Sequence, residues 1–214
     1  MKKHLLVLLF PMIGSIATYA QVRLGVKAGF SNAGMKFESN EYVQRKSGWH
    51  AGVVADIAVA KNFSLQPQLL FSAKGYRSKE LVSPAGVTVL PSVTTKLNYL
   101  ELPVNFLYKP QVGSGRLFVG AGPYIAMGIS GNAKGDKTET VKVKFDGKEN
   151  ENDGKLHAKR IDAGANFLAG YELKSGLFFS VNYSLGMSDV LPGSKSKANY
   201  FGISVGYLLP SGKH

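Results

Sequence analysis

Leu97–Ile129, LNYLELPVNFLYKPQVGSGRLFVGAGPYIAMGI, decides the fold. Its first arm sets Asn98, Leu100, Leu102, Val104, Phe106 and Tyr108 on one face and Leu97, Tyr99, Glu101, Pro103 and Asn105 on the other. That period of two is the signature of a strand. After a short Pro/Gly turn, Leu117, Val119, Ala121, Pro123, Ile125 and Met127 share one face, against Arg116, Phe118, Gly120, Gly122, Tyr124 and Ala126. One face is continuously apolar and the other is small, aromatic or charged.

The pattern repeats along the chain. Strand 1 alternates Val22, Leu24, Val26, Ala28 and Phe30 with Arg23, Gly25, Lys27 and Gly29. Strands 2 and 3 run from Trp49 to Val59 and from Phe63 to Lys74 around a tight Lys61-Asn62 turn, and strands 4 and 5 are the quoted stretch. Strand 6 sets Ile161, Ala163, Ala165, Phe167, Ala169 and Tyr171 against Arg160, Asp162, Gly164, Asn166, Gly170 and Glu172. A Lys174-Ser175-Gly176 turn leads to strand 7, Leu177 to Gly186, and strand 8 carries Phe201, Ile203, Val205 and Tyr207. The fold expected is all-β, an eight-stranded antiparallel up-and-down transmembrane β-barrel.

Connections alternate long and short, as in barrels with short periplasmic turns and long extracellular loops. The long ones are 31–46, 78–95, 130–158 and 188–198. Tyr108, Tyr171 and Tyr207 fall on the lipid face at the periplasmic end, Phe30 and Trp49 toward the outer end, which matches two aromatic girdles. No Lys or Arg falls on the apolar face at a strand centre, where it would cost about 2–4 kcal/mol. Pro67, Pro103 and Pro123 remove ladder hydrogen bonds and read as bulge positions.

The chain has 214 residues, no Cys, 25 Gly and a formal charge of +12. Lys2 and Lys3, the apolar Leu5–Ala17 run and Thr18-Tyr19-Ala20 read as a signal peptide over 1–20, leaving 21–214 as the barrel domain. Loss of Lys2 and Lys3 lowers the charge to +10. The basic residues are scattered, and export excludes nucleic acid as a partner; anionic lipid or polysaccharide fits a surface protein better. The missing cysteines exclude disulfides and a Cys lipid anchor. With no apolar run of 18 residues after Ala20, a membrane crossing requires a closed barrel.

Tyr99-Leu100-Glu101-Leu102-Pro103, Gly120-Ala121-Gly122-Pro123-Tyr124, Asp162-Ala163-Gly164 and Gly170-Tyr171-Glu172-Leu173 resemble the PorT-like outer-membrane β-barrel family. The likeness runs from Gly25-Val26-Lys27-Ala28-Gly29 to the last strand and implies fold more than function. Most members are uncharacterised surface barrels, and the founding member is linked to protein secretion and gliding.

Eight strands enclose a lumen that side chains fill. The inward set is Arg23, Lys27, His50, Asp56, Gln66, Gln68, Lys74, Tyr99, Glu101, Asn105, Arg116, Tyr124, Arg160, Asp162, Asn166 and Glu172. Buried charges must pair. Glu101, Asp162 and Glu172 are expected to lie among Arg116, Arg160 and other cations as a structural polar network; a gated pore is the sharper alternative. His50, toward the outer rim, lacks a nucleophile signature beside it, and His157 reads as a solvated loop residue. The acidic run 146–154 lacks the EF-hand order, and Val141-Lys-Val-Lys-Phe145 suggests that strands 5 and 6 continue outward as a protruding hairpin. No catalytic, cofactor or metal residues are assigned.

The function expected is a non-enzymatic barrel in the outer membrane of a Gram-negative bacterium, reached after export through the inner membrane. It contacts outer-membrane lipid, and its loops meet a surface polysaccharide or protein partner or support envelope and secretion functions. A soluble lipocalin-like carrier of an apolar ligand and a lipid-modifying barrel enzyme are the alternatives. The carrier predicts that Arg116, Arg160, Asp162 and Glu172 point to water.

Overall fold

The computed structural model describes residues 21–37, 43–78, 81–82, 88–90, 92–135, 140–148, 155–193 and 195–210. The expected signal peptide, 1–20, lies outside the described residues. Eight long strands build the wall: β1 (Val22–Phe37), β2 (Val43–Ala60), β3 (Phe63–Ser78), β4 (Val93–Tyr108), β5 (Gly115–Gly135), β6 (Ile161–Glu172), β7 (Leu177–Asp189) and β8 (Ser196–Leu208). Each pairs antiparallel with its sequence neighbours. β8 returns to β1 from Gly25↔Leu208 to Phe37↔Ser196, which closes the barrel and leaves the wall no edge.

Side chains alternate between lumen and outside as expected. β7 is the plainest case: Phe178, Ser180, Asn182 and Ser184 are buried, while Phe179, Val181, Tyr183 and Leu185 are exposed. Leu24, Val26, Phe30, Val53, Leu102, Val119, Ile125, Phe167, Ile203 and Val205 also lie on the outer surface. An outer band this apolar is the pattern of a membrane-spanning barrel wall. It overturns the soluble-carrier reading, since Asp162 and Glu172 are buried in the lumen and the apolar face is outside.

Aromatic contacts mark both borders of the band. Trp49 stacks on Phe71 with centroids 5.1 Å apart, and Phe63 lies 5.5 Å from Phe106 and 5.2 Å from Tyr108. At the short-turn end, the Tyr171 hydroxyl donates to the Val112 carbonyl at 2.8 Å.

Several strands outrun the expectation. β1 continues to Phe37 and β5 to Gly135, because alternation persists above the apolar band with small or apolar residues inside (Ala33, Met35) and polar ones outside (Asn32, Asn132). On the other side the wall is lower, with β6 starting only at Ile161.

The prolines do not mark bulges. Pro67↔Val104 and Leu70↔Glu101 share one register, as do Pro103↔Tyr124 and Phe106↔Ala121. A missing N–H opens the ladder locally without inserting a residue. The register shifts fall elsewhere, between Arg45 and Trp49, Ala58 and Ala60, Asn98 and Tyr99, and Leu185 and Asp189. In the β6–β7 turn Gly176 takes φ +91°, and its N–H donates to the Leu173 carbonyl at 3.0 Å.

Candidate functional site

The lumen is filled in layers. At the short-turn end Arg23 (β1) forks between Asp56 (β2), at 2.6 Å, and Glu172 (β6), at 2.5 Å. Lys109, just after β4, reaches the same two carboxylates, each at 2.8 Å. Two cations and two carboxylates therefore close a neutral ring across the mouth. A recess of about 350 Å³ opens outside it, lined by residues that include Gln21, Gln111, Arg116 and Lys174.

Above this ring Val54, Leu107, Phe118, Leu168, Phe178 and Leu208 form an apolar layer, with Phe118 and Phe178 edge to face at 6.3 Å. An amide and hydroxyl layer follows. Asn166 donates to Asn105 at 2.9 Å and accepts from Ser184 at 2.7 Å, and Gln68 donates to Gln66 at 2.8 Å. Lys27 donates to Gln68 at 3.3 Å.

Higher still, Glu101 pairs with Lys74 and accepts from Ser72 at 3.0 Å and Tyr200 at 3.2 Å. The Lys74 ammonium also lies over three rings, 4.2 Å from the centre of Tyr200, 5.5 Å from Tyr124 and 5.6 Å from Tyr99. Tyr124 donates to Asp162 at 3.1 Å, and Ser188 donates to its other oxygen at 2.7 Å.

The long-loop mouth is capped. Met35, Tyr76, Leu97, Tyr99, Val143, Phe145, Ala158 and Val190 form one buried apolar cluster, four of whose members come from the loop segments. Phe145 lies edge-on to Tyr99 at 5.9 Å and covers Gly128, where any β-carbon would run into its ring.

The expected polar network is placed as follows. Glu101, Asp162 and Glu172 are buried in the lumen, at two different heights. Arg116 and Arg160 are exposed, one at each rim, so neither supplies the expected pairing. Arg160 stands one residue before β6, where the lower wall leaves it in water. The pairing cations are Arg23, Lys74 and Lys109. Lys109 escaped the sequence reading because it sits beside Pro110 in a turn; extending the inward phase of Asn105 and Leu107 by one pair reaches it.

His50 Nε2 and Ser204 Oγ are 2.8 Å apart. Both are buried, at 2% and 3% exposure, and His50 Nδ1 has no hydrogen-bond partner among the described residues. Among the described residues no carboxylate hydrogen-bonds the imidazole, as a catalytic histidine's orienting group would.

His157 is not solvated. It is buried, and its Nδ1 is 2.7 Å from Asp146 Oδ1. That bond holds the Asp146 carboxyl below its ordinary range. Most of the acidic run, 149–154, lies outside the described residues. Among those described, no three His, Asp or Glu side chains converge as a metal site. The protruding hairpin exists with another return arm: Thr140–Lys144 pairs with β5 at Asn132↔Lys142, and Leu156–His157 pairs alongside it, instead of β6.

Among the described residues the rim is mostly basic. Lys148, Lys155, Lys159, Arg160, Lys195 and Lys197 are exposed around the capped mouth. The only described acidic residues near them are Asp146 and Asp189.

No curated protein matches the sequence. Among solved structures the chain is similar to Ail, the attachment invasion locus protein of Yersinia pestis, solved with the heparin analogue sucrose octasulfate (8% identity, 88% of this chain and 99% of Ail, TM-score 0.46). It is also similar to neisserial surface protein A (10% identity, 86% and 96%, TM-score 0.46). A third is the outer membrane protein OprG from Pseudomonas aeruginosa (10% identity, 87% and 95%, TM-score 0.44). A family model described as outer membrane protein beta-barrel domain matches residues 17–191. That span includes seven of the eight wall strands, and the chain belongs to this family of outer-membrane β-barrels.

Proposed function

We propose that this outer-membrane barrel is non-enzymatic and works through its long-loop face, which contacts an anionic surface partner, a polysaccharide before a protein. The observation that carries the reading is the capped mouth. Val143, Phe145, Ala158 and Val190 close the lumen, so the contact surface is the rim outside them, where exposed Lys and Arg predominate among the described residues. A polyanion meeting such a rim is steered by its field and gains from counterion release. The buried His50–Ser204 pair, with no orienting partner among the described residues, supports the non-enzymatic reading against a lipid-modifying enzyme.

Residues 1–20 serve as a cleaved signal peptide, and the long-loop end faces the exterior. Kinship with PorT-like barrels is supported by what the motif residues do: Tyr99, Glu101, Tyr124, Asp162 and Glu172 all point into the lumen, and Tyr124 bonds Asp162.

The test is retention of an acidic polysaccharide by the refolded full chain. Replacing Lys159, Arg160, Lys195 and Lys197 with Ser should abolish retention and flatten its salt dependence while the boiled-versus-unboiled gel shift persists. Equal retention by the fourfold variant would remove the rim from consideration.

A further inference from the structure

We propose a second anionic site on the outer side of the wall: a headgroup site for a phosphorylated glycolipid of the outer leaflet, centred on Lys46, Lys96 and Lys142. It rests on the reading above only in that the long-loop end faces outward.

The register aligns these residues at one height. Gly75 pairs with Lys96, Lys96 with Asn132, and Asn132 with Lys142. Lys46 joins the row through its stem, since a β-carbon at Gly75 would stand 3.1 Å from Lys46 Cδ. Gly75 thus gives the aliphatic stem a bed on the strand surface. Neighbouring strands are about 4.8 Å apart, so the three lysines follow one another at intervals of roughly 10 Å along the wall.

Lys96 and Lys142 lie on the outward face, and the Lys46 stem reaches it over Gly75 although the β1 register sets Lys46 opposite the inward Ala33. Leu97 and Tyr99 point inward, so Lys96 points away from the lumen, as do the exposed Asn132 and Lys142. Directly beneath, the same face becomes the apolar band at Trp49, Leu100 and Met127. Asn98, which donates to Ser130 at 2.9 Å, forms the polar step between. From Lys96 down to Leu100 is four residues, about 13 Å of strand. Lysines at that height on a lipid-embedded wall stand level with headgroups, their stems against apolar surface and their ammonium groups in the polar layer.

Charge complementarity selects the ligand. Of the six acidic residues among those described, Asp56, Glu101, Asp162 and Glu172 lie in the lumen, Asp146 bonds His157, and Asp189 lies on β7. None of these six shares this face, so no described carboxylate neutralises the row. Lysine binds phosphate as a compact point charge, and a row of three spans a headgroup carrying two phosphates. A soluble polymer would approach the rim from above, whereas this row faces sideways into the membrane surface.

The experiment uses the refolded full chain in phosphatidylcholine nanodiscs, with diphosphoryl lipid A as probe and its dephosphorylated form as control. The diphosphoryl lipid should bind at least tenfold more tightly than the control. Combining Lys46→Ser, Lys96→Ser and Lys142→Ser should weaken binding roughly 100-fold, about fivefold per lysine near an anionic surface. Millimolar inorganic phosphate should not displace the lipid. Equal binding of the two lipids by the unaltered protein, undiminished binding by the triple variant, or displacement by free phosphate would each overturn the site. The two-lipid comparison needs no variant, so misfolding cannot obscure it. Polysaccharide retention is read separately, which distinguishes failure of this site from failure of the rim.

Discussion

Lys109, just after β4, and Glu172 on β6 meet at 2.8 Å across the lumen, although β4 and β6 are not neighbours in the wall. With Arg23 and Asp56 they tie four staves of the barrel together at the short-turn mouth. Breaking a buried pair by removing one partner costs about 3–5 kcal/mol. Arg23 is partly exposed, which reduces this. Lys109→Met should therefore lower the unfolding free energy by about 2–3 kcal/mol, measured by urea titration of the refolded barrel. Adding Asp56→Asn should recover about half of it, and strictly additive losses would show that the ring does not act as a unit.

The Lys74–Glu101 pair makes a similar claim higher in the lumen. Glu101→Gln leaves the Lys74 ammonium among three tyrosines without its carboxylate, at a cost of about 3 kcal/mol. The double variant with Lys74→Met should lie within about 1 kcal/mol of the parent. A double variant as unstable as the single one would mean that Lys74 is held by the rings and not by the charge.

Phe145→Ala should cost about 3 kcal/mol through the cavity it leaves over Gly128. Hydrogen exchange should rise in 140–145 and 156–158 and stay low in β6–β8. Planar-bilayer recordings should show no conducting steps, because the tyrosine, amide and apolar layers remain below. Stable steps in this variant would make the cap the only seal.

Ile203, 59% exposed at mid-wall on β8, tests the membrane face directly. Ile203→Arg should reduce folding stability in phospholipid vesicles by about 2–4 kcal/mol. Unchanged stability would place this face in water.

The Asp146–His157 contact has a defined pH sense. The Asp146 carboxyl is held below its ordinary value of 3.8 by the hydrogen bond to His157. Its contribution to loop order is complete above that ordinary value and is lost as the pH falls through the lowered one. Hydrogen exchange at 143–148 should accelerate in that acid window, and Asp146→Asn should remove the step. A step of equal size in the variant would assign it to another group.

The wall was legible in the chain because lipid outside and a packed lumen inside impose a period of two that holds residue by residue. Val22–Phe30, Phe63–Lys74 and Leu97–Met127 each state it locally, and with no apolar run of 18 residues after Ala20 a closed barrel is the only way for this chain to cross a membrane. Antiparallel neighbours then follow from alternating short and long connections. Which inward charges meet was not legible. Arg23, Asp56, Lys109 and Glu172 share a mouth only because closing β8 onto β1 sets the stagger of every strand, and one register step would have given each carboxylate another partner. The same closure left Arg116 and Arg160 in water at opposite rims and folded Phe145 inward over Gly128. A local pattern records which way a side chain faces; only the closed ring determines what it faces.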